Sequence, residues 1–263
     1  MNTSKISIIT INYNNKLGLN KTIKSVISQT YKNIEYIVID GFSIDDSQSV
    51  LEAYKLDIDI AVCESDSGVY EAMNKGIKRA SGDYLLFLNS GDYFSDEFAL
   101  YNFLNHVEFK GDIVYGDYKF EKGEKRYPDY LTPLFFVKSS LPHQSTLFSK
   151  RVFEKMGGYD ESYKISADRD FYFKCFLSGF FVFKHVPIAL SYFDLTGISN
   201  NIEFNNIKIL EDEKLFRRNL GVFYTNYKQM LVLQDEFNEI KKQTLRGVLK
   251  RIKDKIFIIC RIR

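Results

Sequence analysis

Four aspartates, Asp40, Asp66, Asp92 and Asp168, stand where short apolar runs stop or where helical stretches begin. A carboxylate in such a place can accept a hydrogen bond from a ring N–H, ligate a hard divalent cation, or take a proton from a hydroxyl. Gly68 directly precedes a helical stretch. A glycine there lets backbone N–H groups close on an anion such as phosphate, which the positive end of a helix favours. Asn89-Ser90-Gly91-Asp92 offers a cation one carboxylate and one amide carbonyl. Each group also has a plainer use. Asp40 lies close to Asp45 and Asp46, where a helix cap is needed, and Asp92 could open a surface loop. Asp168 and Asp170 suit the first turn of a helix through its dipole, and Lys75 suits a solvated helix face.

The elements that must position these residues alternate. Strands are expected at Ser7 to Ile11, Ile34 to Ile39, Ile58 to Cys63 and Tyr84 to Leu88, with helices at Leu17 to Gln29, Asp46 to Tyr54 and Val69 to Ala80 between them. This alternation implies right-handed βαβ units and an α/β fold with a doubly wound, mostly parallel sheet. Such sheets bind ligands beyond the carboxyl ends of their strands, where Asp40, Glu64 to Asp66 and Asn89 to Asp92 all fall. After Asp92 the alternation loosens. A strand at Ile113 to Tyr118, a hairpin turning at Lys122-Gly123, and helices at Lys150 to Met156 and Asp168 to Leu177 follow, and from about Asn201 the pattern is helical.

With 263 residues and a hydrophobic fraction of 45%, the chain has material for one sizeable core and an appendage. The net charge of +2 hides an asymmetry: Lys241 to Arg263 holds nine Lys/Arg against Asp254 alone, leaving 27 basic and 33 acidic side chains elsewhere. Leu245, Val248, Leu249, Ile252, Ile256 and Ile259 recur at helical spacing among those basic residues. The pattern fits an amphipathic helix on an anionic membrane surface, or one packed on the body or a second subunit. One short basic element beside an acidic body, with no nucleic-acid motif, argues against a nucleic-acid partner. Cys63, Cys175 and Cys260 form no CxxC pair or zinc-ligand spacing and read as reduced thiols. With no signal-peptide pattern and no apolar run of membrane-spanning length, a cytoplasmic protein is expected, peripheral at the membrane if its tail docks there.

Four blocks, Ser7 to Asn14, Val38 to Asp45, Glu64 to Ile77 and Ala80 to Asp92, resemble in order and spacing the family 2 glycosyltransferases of the GT-A fold. The similarity is to the branch that builds bacterial surface polysaccharides, and it weakens but continues to about Ser199. The resemblance implies a GT-A domain over 1–200, with a nucleotide-binding half (1–95) and an acceptor-binding half (96–200), then a helical extension over 201–263.

The resemblance also implies roles. Asp40 would accept from a uracil or guanine N–H, flanked by Thr10, Asn12 and Tyr13, while Asp66, Gly68 and Asn74 would meet the rest of a nucleotide-sugar donor. Asp92 occupies the place of the DxD-type motif and would bind Mg²⁺ or Mn²⁺. Many relatives carry arginine where this chain has Met73. Asp168 would be the base that deprotonates an acceptor hydroxyl, with Asp170 as runner-up; a single displacement would then invert the anomeric centre. Asp117, His143, Gln144 and Ser199 are candidates for acceptor or diphosphate contacts, while His106 and His185 are expected to be structural. The acceptor would be a glycan or lipid-linked sugar in polysaccharide assembly (O-antigen, capsule or lipopolysaccharide). Two other readings stand beside this one. A sugar nucleotidyltransferase would show a Gly-rich basic loop where Asn12-Tyr13-Asn14-Asn15 stands; an inactive nucleotide-sugar or glycan-binding module would lack the base.

Overall fold

The computed structural model describes residues 2–195 and 202–261, with side chains described as far as residue 249 except that of Ile202. Ser199 lies outside the described residues. Met1–Leu215 and Phe216–Arg263 form two compact units.

In the first unit the expected alternation is present: β1 (Ile6–Asn12), α1 (Lys16–Ile27), β2 (Ile34–Asp40), α2 (Ser47–Ala53), β3 (Ile60–Cys63), α3 (Val69–Arg79) and β4 (Tyr84–Phe87). β1 is buried along its whole length, as a central strand covered on both faces must be. Leu19, Ile23 and Val26 line the buried face of α1, whose start is capped by the Asn15 side chain accepting from Gly18 N. β3, β2, β1 and β4 lie side by side in parallel. Their registers align Asn12 with Asp40 and Asp40 with Cys63, so the carboxyl ends of these strands form one edge.

Beyond β4 run β5 (Tyr93–Phe94), α4 (Ala99–Leu104), β6 (Ile113–Phe120), β7 (Gly123–Lys125), α5 (Pro133–Lys138), β8 (Thr146–Ser149), α6 (Lys150–Met156), α7 (Ala167–Ser178) and β9 (Phe183–Tyr192). The strand order is β3-β2-β1-β4-β8-β6-β9-β5, with β7 hairpinned onto β6. β8 enters antiparallel to β4, pairing Leu86 with Leu147. Its beginning therefore lies beside the carboxyl end of β4, which delivers the residues just before β8 to the Asn89–Asp92 segment. β5 pairs with β9, where the Tyr93 and Tyr192 rings stack at 4.9 Å.

An aliphatic cluster including Ile6, Ile8, Leu19, Ile23, Val38 and Leu86 forms one core. A second, aromatic core joins Phe87, Phe148, Phe153, Tyr159, Phe171 and Tyr172 through ring contacts, stacked or edge-on. This aromatic packing seats α7, and α7 carries Asp168.

α8 (Asn205–Leu220) and α9 (Phe223–Arg261) complete the chain. The first unit runs on to Leu215, beyond the expected boundary at residue 200, because carboxylates of α8 bind the segment leading into α7. In the second unit Phe216 stacks on Tyr224, and α9 is a helix of 39 residues, about 58 Å at the usual rise. Phe237, Ile240, Leu245, Val248 and Leu249 are exposed along it. Among the described residues no helix is long and apolar enough to cross a membrane.

Candidate active site

The edge formed by β1, β2 and β3 is built on buried polar pairing. Asp40 is fully buried and both its oxygens are engaged. Oδ2 accepts from Asn12 Nδ2 at 2.6 Å and Ser43 Oγ at 2.8 Å; Oδ1 accepts from Ser43 N at 2.8 Å and the Cys63 thiol at 3.5 Å. In this arrangement Asp40 pins the loop following β2. Thr10 is likewise a core residue, donating to Leu88 O at 2.8 Å. Asn12 is consumed on its amide nitrogen by Asp40 and Ser43, and its Oδ1 is buried without a hydrogen bond.

What faces outward here is Tyr13, 68% exposed, and Phe42, 59% exposed in a left-handed conformation (φ 65°). Between them Gly41 lets the Asp66 carboxylate approach: a Cβ at 41 would sit 2.7 Å from Asp66 Oδ2 and 3.2 Å from the Tyr13 ring. Asp66 Oδ1 accepts from Gly68 N at 3.0 Å, and burial holds the carboxyl above its ordinary range. Asp66, Gly68 and Tyr13 thus lie together at this edge. Asp66 is a half-buried carboxylate there.

On α3, Asn74 is buried, donating to Tyr159 O at 2.9 Å and Glu161 Oε1 at 2.7 Å while accepting from Tyr159 N at 2.8 Å. Its amide ties α3 to the 159–161 turn. Met73 is also buried, in core packing. Lys75 donates to Ser65 O at 2.8 Å and pairs with Glu71 at 3.0 Å, which braces the 64–67 loop.

At the end of β4, Asp92 is buried and its Oδ1 accepts from Asp194 N at 2.9 Å, a contact set up by the β5–β9 pairing. Burial pushes its carboxyl up, and the neighbouring His143 opposes that rise. His143 opens a short 3-10 turn (His143–Ser145) immediately before β8. Its Nε2 is 3.7 Å from Asp92 Oδ2 and 3.2 Å from Asn89 Nδ2; its Nδ1 is 3.9 Å from Asp168 Oδ2. Burial alone would lower the imidazole, yet the carboxylates Asp168 and Asp92 on its two sides raise it to about 9. An imidazolium in this place neutralises part of the repulsion between them. Gln144, beside it in sequence, is buried.

Asp168 occupies the first turn of α7. Its Oδ1 accepts from Arg169 N at 2.8 Å and from the Tyr70 hydroxyl at 3.2 Å, and that hydroxyl also donates to Ile165 O. Asp170, the alternative base, is 1% exposed and paired with Lys174 at 2.7 Å. Asp117 is also buried. Its Oδ1 accepts from Tyr127 N at 2.8 Å and meets His185 Nε2 at 2.9 Å, while His185 Nδ1 reaches Asp129 at 2.7 Å. Asp117 and His185 latch the 127–129 segment. Tyr70, which holds Asp168, was not singled out as a site residue from the sequence, although it sits beside Gly68 in a block that was.

No group of three or more His, Cys, Asp and Glu side chains among the described residues is arranged to hold a metal ion. A cation that arrives with diphosphate oxygens needs fewer protein donors. Asp92 Oδ2 and His143 Nε2, 3.7 Å apart, are spaced as two ligands of one ion can be, and the nearby Asn89 Oδ1 is buried without a hydrogen-bond partner. Asp92 and Asn89 thus offer oxygen donors to a cation, and His143 could join them only in its neutral form.

Residues 7–164 match the family model described as glycosyl transferase family 2. An uncharacterised glycosyltransferase of Mycobacterium tuberculosis is 35% identical over 208 residues, covering 75% of this chain and 78% of its own. Among solved structures, S. aureus TarS 1–349 in complex with UDP-GlcNAc superposes with a TM-score of 0.65 at 18% identity, over 86% of this chain and 70% of that one. The mannosyltransferase PcManGT from Pyrobaculum calidifontis, in complex with GDP-Man and Mn²⁺, gives 0.58 at 16% identity, over 73% of this chain and 57% of that one. The strand-end site thus stands on a GT-A fold, and the chain belongs to glycosyl transferase family 2.

Proposed function

We propose that this glycosyltransferase moves a sugar from a nucleotide-diphosphate donor to a glycan or lipid-linked hydroxyl in bacterial polysaccharide assembly, with inversion. The observation that carries the reading is the line Asp92–His143–Asp168, which joins the end of β4 to the start of α7 through one imidazole. The exposed Tyr13 and Phe42 rings offer stacking surfaces for a nucleobase, and Asp66 offers the acceptor for its ring N–H. The α3 start at Gly68 favours an anionic group nearby. Complexes of the structural neighbours with UDP-GlcNAc and with GDP-Man support a nucleotide-sugar donor.

A divalent cation held by Asp92, and by His143 Nε2 only once that nitrogen has given up its proton, with Asn89 beside them, would neutralise the leaving diphosphate as a Lewis acid. The chain's own contribution is at Asp168. The acceptor hydroxyl gives its proton to the Asp168 carboxylate while its oxygen bonds to the anomeric carbon. The bond from that carbon to the diphosphate oxygen breaks in the same step, and the nucleoside diphosphate leaves with the electron pair. Attack opposite to the leaving group inverts the centre, so an α-linked donor yields a β-linked product. Tyr70 holds the base by its hydroxyl, and while no cation is bound the protonated His143 keeps two carboxylates close without full mutual repulsion.

The basic residues of 241–263 and the exposed apolar residues of α9 support docking of the tail on an anionic membrane from the cytoplasmic side. The stereochemistry is the test of the reaction. Anomeric proton couplings of the product, read by NMR on a donor of known configuration, should show inversion; retention would overturn the assignment of Asp168 as base.

A further inference from the structure

Glu211 lies on α8, beyond the 7–164 span of the family match, yet it holds the approach to the catalytic helix. Its Oε1 accepts from Lys164 N at 2.7 Å, and its Oε2 accepts from Ile165 N at 2.9 Å and Ser166 N at 3.0 Å. Three consecutive backbone donors thus converge on one carboxylate. They lie immediately ahead of α7, where N–H groups have no partner within the helix. Ser166, the residue flanking α7, receives no cap from its own side chain; its hydroxyl instead donates to Asp212 Oδ1 at 2.9 Å.

Asp212 also binds the Arg169 guanidinium, which donates in addition to Phe136 O at 2.8 Å and Val137 O at 2.8 Å at the end of α5. Arg169 directly follows Asp168. The Ile165 carbonyl receives the Tyr70 hydroxyl that also contacts Asp168. Every backbone position from 164 to 166, and the residue after Asp168, is therefore fixed by the Glu211–Asp212 pair. A carboxylate restrained on both sides of its helix start keeps its oxygens in one place, which is what a base acting over a hydrogen-bond distance requires.

We infer that Glu211 and Asp212 are positioning residues for transfer, and that α8 as far as this pair is part of the catalytic machinery. The inference rests on Asp168 as the base. Glu211→Ala in the full chain should lower kcat about tenfold to a hundredfold, leave the donor Km within about twofold, and leave donor-induced thermal stabilisation intact. Glu211→Gln keeps one acceptor oxygen and should recover part of the lost kcat. Asp212→Asn, which weakens the Arg169 pair, should act in the same direction.

Unchanged kcat in Glu211→Ala overturns the inference. So does a fall in kcat that tracks only the fraction of folded protein, measured by binding-site titration with the nucleoside diphosphate. Asp168→Asn, run in parallel, separates the two layers: its retention of activity would remove the base itself, whereas an inactive Asp168→Asn beside a fully active Glu211→Ala would remove only the positioning role.

Discussion

His143 Nδ1 stands 3.9 Å from Asp168 Oδ2, while the opposite nitrogen of the same ring stands 3.7 Å from Asp92 Oδ2. One imidazole therefore couples the group proposed to receive the acceptor proton with the group proposed to serve the leaving diphosphate. Its replacement by alanine should lower kcat by roughly tenfold to a hundredfold, the size expected when one preorganised charge contact is lost. Steady-state rates at saturating donor check this, and an unchanged kcat would disconnect His143 from the reaction.

Asp92 is the one carboxylate of the Asn89–Asp92 segment. Asp92→Asn should reduce turnover by about a hundredfold or more, and a chelator should depress wild-type turnover, with recovery on adding Mg²⁺ or Mn²⁺. Transfer assays across a metal titration measure both effects. Full activity in excess chelator would contradict the cation role.

Asn74 gives a contrast, since its amide is spent on Tyr159 and Glu161. Asn74→Ala strands these partners and should cost about 1–3 kcal/mol of stability, with donor affinity of the folded protein unchanged. Urea unfolding and calorimetric titration with the nucleoside diphosphate separate the two. Weakened donor binding at unchanged stability would put Asn74 in the ligand set.

Glu35 supplies the pH dependence. Burial alone would raise its carboxyl, but Lys5, the Ser7 hydroxyl, and the backbone and hydroxyl of Ser81 outweigh that and hold it at about 2. Because the folded value lies below the ordinary one, the stabilisation is complete above about pH 4.5 and is lost as pH falls toward 2. Glu35→Gln should cost roughly 2–3 kcal/mol at pH 7 by linkage, with the cost shrinking steadily below pH 4.5. Unfolding free energies at pH 7, 4.5 and 3 test this; a pH-independent cost would contradict it.

The first four strands and the helices between them were legible because each buries a face whose spacing repeats locally. Their shared carboxyl edge follows from the parallel pairing itself, so Asp66 and Asp92 could be placed before any contact was known. The burial of Asp40 is not legible for a related reason. Its position at a strand end is local information, but the Asn12, Ser43 and Cys63 donors that close it off come from three segments that no period connects. The partners of Asn74 are hidden likewise, being 85 and 87 residues away. His143 needed the antiparallel entry of β8 beside β4 to reach Asn89, and the break after Asp92 gives no sign of that reversal. Glu211 looked like one more acidic residue on a polar helix, because three backbone donors leave no trace in side-chain patterning.

The account turns on Asp168. In a single-turnover experiment with donor prebound and acceptor added, Asp168→Asn should bind the nucleotide-sugar with wild-type affinity and form glycosylated product at least about a thousandfold more slowly. Transfer by Asp168→Asn at the wild-type rate would remove the base from the mechanism, and with it the proposed route to inversion.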